Sequence, residues 1–261
     1  MDATDSLREF NQLPINDLNG EGLRLQEDLQ SKWLQIPNLT SSNEQVISEF
    51  NLDENGSIYG YVNIKYTGFQ ALKFKHEYKN FSDTSKIESF FKNRYFSTIE
   101  DISLDSIKVK DIRLINEPTE IKMKFRIENY ATVSDDRIYI NPLFFNVYKN
   151  NPFKNEERRF PIDFEYTFSD KITIVMEVPE DYEVEEKLNP VQFSTPDKNL
   201  KFRKLTQYNP SNIFYISDLK VLSEQFSIYE YEVIKDFYQN VVDQQNKTLV
   251  LKKKGNIINQ N

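Results

Sequence analysis

Cysteine is absent from all 261 residues. With it go a disulfide framework, thiolate zinc sites, iron–sulfur clusters and a cysteine nucleophile. Histidine is nearly absent as well. His76 is the single imidazole, so a two-histidine metal site is excluded and a Ser-His-Asp arrangement has one candidate base. No apolar run approaches the roughly 18–20 residues that a membrane-crossing helix needs, and no membrane span is expected. Positive charge is in deficit. Lys and Arg number 33 against 41 Asp and Glu, a formal net charge of −8, which disfavours a basic nucleic-acid surface. The opening ten residues hold neither a basic n-region nor an apolar h-region, so no secretory signal is expected in this chain. Without thiols the chain is indifferent to redox poise, and its composition leaves the compartment open.

What is present points to a folded core. Aromatic residues make up 14% of the chain, far from the composition of long disorder. Residues 1–42 read as an irregular segment, punctuated by Leu13-Pro14 and Asn19-Gly20-Glu21-Gly22, with one short strand at Trp33 to Ile36. From Gln45 the period becomes two. Val46 and Phe50, then Ile58, Tyr59, Tyr61, Ile64 and Tyr66, flank Asp53-Glu54-Asn55-Gly56; Asn-Gly supplies the positive φ of a hairpin turn. Helical spacing follows near 69–80 and 84–94, the second with an N-cap at Ser82-Asp83-Thr84.

Strands return at Ile107 to Leu114, Ile121 to Ile127, Arg137 to Ile140, Ile172 to Val178, Tyr182 to Val184, Val191 to Phe193, Leu200 to Leu205, Ile213 to Val221 and Leu249 to Leu251. Their alternation with charged residues predicts sheets with one buried and one wet face. Ser227 and Glu230 form a capping box, Phe226 and Tyr231 a hydrophobic staple, and a helix is predicted over 228–244. The predicted fold is mainly β: an antiparallel β-sandwich with these few helices packed on it. The domain reading is a segment 1–42, a β-rich domain 43–254 with a subdivision near 141–159, and a polar tail 255–261.

Few residues signal chemistry. His76, between Lys75 and Glu77 on a predicted helix, reads as a surface or half-buried helical side chain. Acid pairs are abundant, as in Asp135-Asp136, Glu156-Glu157, Glu180-Asp181 and Glu183 to Glu186, and sequence alone cannot set a pair across a cleft. Asp53 to Gly56 reads as a turn, and the calcium-loop spacing is absent. Lys252-Lys253-Lys254 reads as a lysine-blunted end of an edge strand. Trp33, Tyr59, Tyr61 and Tyr66 could stack on sugars, but aromatics on alternating strand positions are more often core or cross-strand pairs.

Two stretches together resemble a known family. One is Asp2-Ala3-Thr4-Asp5, Leu13-Pro14, Leu18 to Leu23 and Trp33; the other is Phe160-Pro161-Ile162, Val178 to Val184 and Tyr229 to Lys254. The first is similar to the end of the catalytic core of Bacteroidetes-type transglutaminase-like proteins. The second is similar to the β-rich domain of unknown function that follows that core. The resemblance implies that Asp2 occupies the Asp position of a Cys-His-Asp triad, where an Asp orients the imidazole and attacks nothing itself. The Cys and His would lie upstream, and His76 stands on the wrong side of Asp2 for the family order.

The resemblance therefore implies a non-catalytic C-terminal accessory or binding module. Its expected partner is a protein or peptide, cell-envelope components among them, in the periplasm or envelope, with no cofactor, no metal and no nucleic acid. The alternatives are a stand-alone adhesion or carbohydrate-binding sandwich, which requires exposed aromatics, and an enzyme with an unrecognised carboxylate site, which requires two facing acids of raised pKa in a cleft.

Overall fold

The computed structural model describes residues 5–8, 13–18, 20–25, 31–36, 42–81, 83–115, 117–145 and 148–255. Strands β1 (Glu21–Leu25) and β2 (Ser31–Gln35) form an antiparallel hairpin in which Trp33 faces Leu23. The strand expected at Trp33 thus has a partner, and both strands are largely exposed. Then come β3 (Ser42–Leu52), β4 (Ile58–Thr67), helices α1 (Gly68–Tyr78) and α2 (Thr84–Tyr95), and strands β5 (Ile102–Lys110), β6 (Thr119–Ile127), β7 (Thr132–Ser134) and β8 (Arg137–Ile140). The second half comprises β9 (Ile162–Asp163), β10 (Phe168–Glu177), β11 (Tyr182–Glu186), β12 (Val191–Ser194), β13 (Leu200–Tyr208), β14 (Asn212–Val221), β15 (Gln225–Phe226), α3 (Tyr231–Gln245) and β16 (Leu249–Lys253).

Eight strands make one large sheet in the order β12-β13-β14-β10-β3-β4-β6-β5, and a second sheet runs β11-β16-β8-β7. The protein is mainly β, with several antiparallel sheets and a few helices, as the alternation predicts. The large sheet departs from pure antiparallel pairing once: β10 lies parallel to β3, with Ile174 opposite Ser48 and Met176 opposite Phe50. This join brings the two halves of the sequence into one sheet, and no turn signal announces it.

The inner face of the large sheet carries two main apolar clusters. In the first, Phe50 and Phe125 meet Phe144 at centroid distances of 5.2 and 4.7 Å, and the second sheet adds Ile138, Ile140, Leu249 and Leu251. In the second, Ile234, Phe237, Tyr238 and Val241 of α3 pack on Leu200, Phe202, Leu219 and Val221. A smaller third cluster docks Leu7, Ile15 and Leu18 onto Phe69, Leu72 and Tyr166. Each large apolar side chain so buried contributes roughly 1.5–3 kcal/mol before entropy is subtracted. The outer face stays open, with Tyr59, Tyr61, Lys122, Lys124 and Arg126 exposed.

Two glycines are required. Gly56 closes the β3–β4 turn at φ 86°, and an added Cβ would stand 2.4 Å from the Ala131 carbonyl oxygen. Gly60 lets β4 approach β3, where a Cβ would meet the Glu49 carbonyl oxygen at 2.1 Å. The helix expected over 228–244 begins with a tighter 3-10 turn, Ile228–Glu230, under the Ser227–Glu230 capping box, before Tyr231–Gln245 turns α-helical. The lysine run is not on an edge, because β16 lies between β11 and β8. Lys253 pairs with Glu54 at 3.0 Å and Lys254 donates to the Glu180 carbonyl at 2.6 Å.

Candidate functional site: an acidic cavity

The strand phase that buries Val46, Ser48 and Phe50 also turns Glu44 inward. The phase of Ile172, Ile174 and Met176 likewise turns Asp170 inward. The parallel register sets Glu44 opposite Asp170, and neighbouring strands lie only about 4.8 Å apart. Two carboxyl groups therefore share one spot on the inner face. They line a cavity of about 290 Å³ together with Val46, Tyr95, Phe145, Tyr148, Lys171, Ile172, Ser217, Leu219 and Gln245. Val46, Tyr95 and Phe145 belong to the first apolar cluster and Leu219 to the second, so the cavity sits at the seam between them.

Hydrogen bonds fix the acids. Tyr66 Oη donates to Glu44 Oε1 at 3.0 Å and lies 2.8 Å from Tyr95 Oη. With the Tyr66 hydrogen committed to Glu44, Tyr95 is the donor to Tyr66. Gln70 Nε2 donates to Asp170 Oδ1 at 2.9 Å. Arg94 is bonded to Glu77 and lies over the rings of Tyr66 and Tyr95. Among the described residues no ion pair joins a lysine or arginine to Glu44 or Asp170. Gln245, only 4% exposed, donates from Nε2 to Ser217 Oγ at 3.2 Å, and its Oε1 has no hydrogen-bond partner.

This setting disfavours negative charge. Burial raises the Glu44 pKa, against the opposing pull of Tyr66 and Arg94. Burial, and then the proximity of Glu44, push Asp170 up to about 7. At neutral pH Asp170 is part-protonated where an exposed carboxylate would have lost its proton, and burial moves Glu44 in the same direction. Close by, Lys204 is fully buried, opposite Ser217 in the β13–β14 register, and its Nζ donates to Gln244 Oε1 at 2.8 Å. Burial, and secondarily Lys247, bring its pKa down to about 8.

The residues singled out from sequence lie elsewhere. Asp2 falls outside the described residues. His76 is half-buried on α1; its Nε2 donates to Asp5 Oδ2 at 2.8 Å while Lys79 Nζ stands 3.1 Å from Nδ1. Burial raises the Asp5 pKa, but the Leu7 N–H, His76 and Arg8 outweigh it and hold the carboxyl below its usual range. Asp136 and Glu185 are engaged by Arg137, and Arg126 holds Glu128 and approaches Asp53. Trp33, Tyr59 and Tyr61 are 62%, 38% and 41% exposed; of the two readings, core or cross-strand pair, they take the second, opposite Leu23, Asn51 and Glu49. Tyr66 alone of the four is buried. No group of three or more acidic or imidazole side chains suited to a metal occurs among the described residues.

Sequence reasoning missed Glu44, Asp170 and Gln245. A signal existed: each is a polar residue on the inward phase of its element, where the neighbours are apolar.

Residues 136–251 match the family model of DUF3858, a domain of unknown function with a solved structure. The match takes in Asp170, Ser217 and Gln245 but not Glu44. No curated protein matches the chain in sequence. Among solved structures, a candidate protease from Parabacteroides distasonis ATCC 8503 aligns with TM-score 0.34 and 14% identity, over 38% of this chain and 19% of that one. Baculovirus P35 aligns with TM-score 0.20 and 8% identity, over 81% of this chain and 96% of its own. The chain thus spans about a fifth of the protease-like structure.

Proposed function

We propose that the chain is the non-catalytic C-terminal accessory module of a transglutaminase-like protein of the cell envelope, and that it acts by binding a protein or peptide partner. The sequence resemblance and the match to the domain of unknown function support the placement. The observation that carries the binding role is the cavity itself. It offers two carboxyl groups and an unpartnered carbonyl; Tyr66 behind it donates to Glu44, and Ser217 in its wall accepts from Gln245 Nε2. His76, the only imidazole, is bound to Asp5. An acid beside an acid can hold a ligand; covalent catalysis calls for a nucleophile beside a base.

The test is turnover by the purified chain. Transamidation of casein by a fluorescent amine and hydrolysis of a peptide library should both stay at background. Turnover that disappears in Glu44→Gln or Asp170→Asn would replace the proposal with an acid–base enzyme, the second reading that this acid pair favours. The exposure of Tyr59 and Tyr61 on the open sheet face favours the carbohydrate-binding alternative. Retention on a glycan array, lost in a Tyr59→Ala/Tyr61→Ala double variant, would establish it.

A further inference from the structure

We infer that the Glu44–Asp170 cavity is a subsite for one organic cation, an ammonium or guanidinium group carried on an aliphatic stem. The inference rests on reading this cavity as a binding site, and it adds the chemical class of the ligand. Three observations converge. Neither inward acid makes a direct ion pair with a lysine or arginine among the described residues; Arg94 acts on Glu44 only through space, and Lys171 of the wall sits on the opposite strand phase from Asp170. Gln245 Oε1, on a side chain only 4% exposed, lines the cavity with no hydrogen-bond partner. A buried acceptor left unpaired costs roughly 1–3 kcal/mol, and a donor arriving with the ligand removes that cost. Apart from Lys171 and Ser217, the remaining walls, Val46, Tyr95, Phe145, Tyr148, Ile172 and Leu219, are apolar or aromatic and suit an aliphatic stem.

Size and donor chemistry narrow the ligand. The volume of about 290 Å³ lies just below the roughly 300–1,000 Å³ range of small-molecule pockets, which fits one long side chain or a small amine. A calcium ion would want about six to eight oxygen ligands, more than two carboxyls, a carbonyl and a hydroxyl supply. Once ionised, the two acids repel an anion. Lysine and arginine side chains donate hydrogen bonds and accept none, the complement of a site made of acceptors. The ligand has two natural sources, the side chain of a partner peptide or a free amine.

Linkage supplies a second readout. The titratable groups around the pair are Tyr66 and Arg94, with Tyr95, Tyr148 and Lys171 in the cavity wall and Tyr166, Lys204 and Tyr238 nearby. The tyrosines among them are pushed above their ordinary range and Arg94 keeps its charge; Asp170 is pushed up to about 7, Glu44 is raised by burial, and Lys204 is brought down to about 8. A cation that needs both acids ionised expels their protons on binding, and its affinity rises with pH.

Isothermal titration of the whole chain with n-pentylammonium, Nα-acetyl-lysine methylamide and agmatine tests the inference, with 1-pentanol, pentanoate and calcium chloride as controls. At least one amine should bind saturably at pH 8, at least tenfold more tightly than pentanol or pentanoate. Affinity should fall about tenfold at pH 5.5, and the measured heat at pH 7 should change with the ionisation enthalpy of the buffer. Glu44→Gln and Asp170→Asn should each weaken binding at least tenfold while their circular-dichroism melts stay cooperative. Preference for the acetyl-lysine derivative assigns the site to a peptide side chain; preference for pentylammonium assigns it to a free amine, and either supports the cation class. Absence of saturable amine binding, equal binding of pentanol, unchanged affinity in both acid variants, or displacement of the amine by millimolar calcium would each overturn it. Because these are binding readouts, the inference can fail while the turnover assays stay silent, and the reverse.

Discussion

β3 and β10 run side by side from Ser42 and Phe168 to Asn51 and Glu177, and their two halves differ. Toward the C-terminal end the inward residues are Ser48, Phe50, Ile174 and Met176, each at most 1% exposed, with Phe50 against the Phe144 ring. Toward the N-terminal end they are Glu44 and Asp170, walled by Tyr95, Tyr148 and Gln245. The same backbone register thus serves two ends. One half is packed for stability. The other places two acids where apolar side chains would pack better, a compromise of the kind that marks functional sites.

The largest effect should come from the dry half. Phe144→Ala removes a ring that touches Phe50 and Phe125 and should cost about 3–5 kcal/mol in urea unfolding. A loss under 1 kcal/mol would erase the contrast between the halves. The seam should respond with the opposite sign. A raised carboxyl favours folding at low pH; that stability is full below the unfolded value near 3.8 and is lost as pH climbs through about 7. By linkage a rise from 3.8 to about 7 corresponds to at most roughly 4 kcal/mol. Sharing between two acids and partial solvent access reduce this to about 2. Asp170→Asn keeps the Oδ1 acceptor for Gln70 and should be more stable than the parent by that amount at pH 8, with no gain at pH 4. Equal stabilities at both pH values would remove the buried charge from the account.

The smallest effect belongs to the Asp5–His76 contact. The lowered Asp5 carboxyl contributes stability that is present above its unfolded value and lost as pH falls through the folded one. Asp5→Asn should therefore cost under about 1 kcal/mol at pH 7 and nothing at pH 2. Faster proteolysis within residues 5–18 at pH 7 is the sensitive readout.

Local chemistry made much of the fold legible. Asn55-Gly56 marked the β3–β4 hairpin, Ser227 and Glu230 marked the start of the last helix, and alternation located most strands. The parallel join of β3 to β10 stayed hidden because it links segments from opposite halves of the chain, and nothing local encodes such a pairing. The site stayed hidden for a related reason. Begun at Gln45, the β3 pattern stops one residue short of Glu44, although the step back from Val46 lands on it. Asp170 stands in the same relation to Ile172. Gln245 continues the apolar stripe of α3, four residues beyond Val241. In each case an acid or amide occupies an inward phase, and only the three-dimensional register shows that the three meet.

Trp33 is the sole indole of the chain, and it stands 62% exposed on the β1–β2 hairpin, apart from all three apolar clusters. Its emission is therefore a built-in optical label for that hairpin. Docking of a neighbouring domain against β2 would shift the spectrum to the blue, whereas the melting of the phenylalanine-rich interior would register in circular dichroism and leave the tryptophan signal almost unchanged.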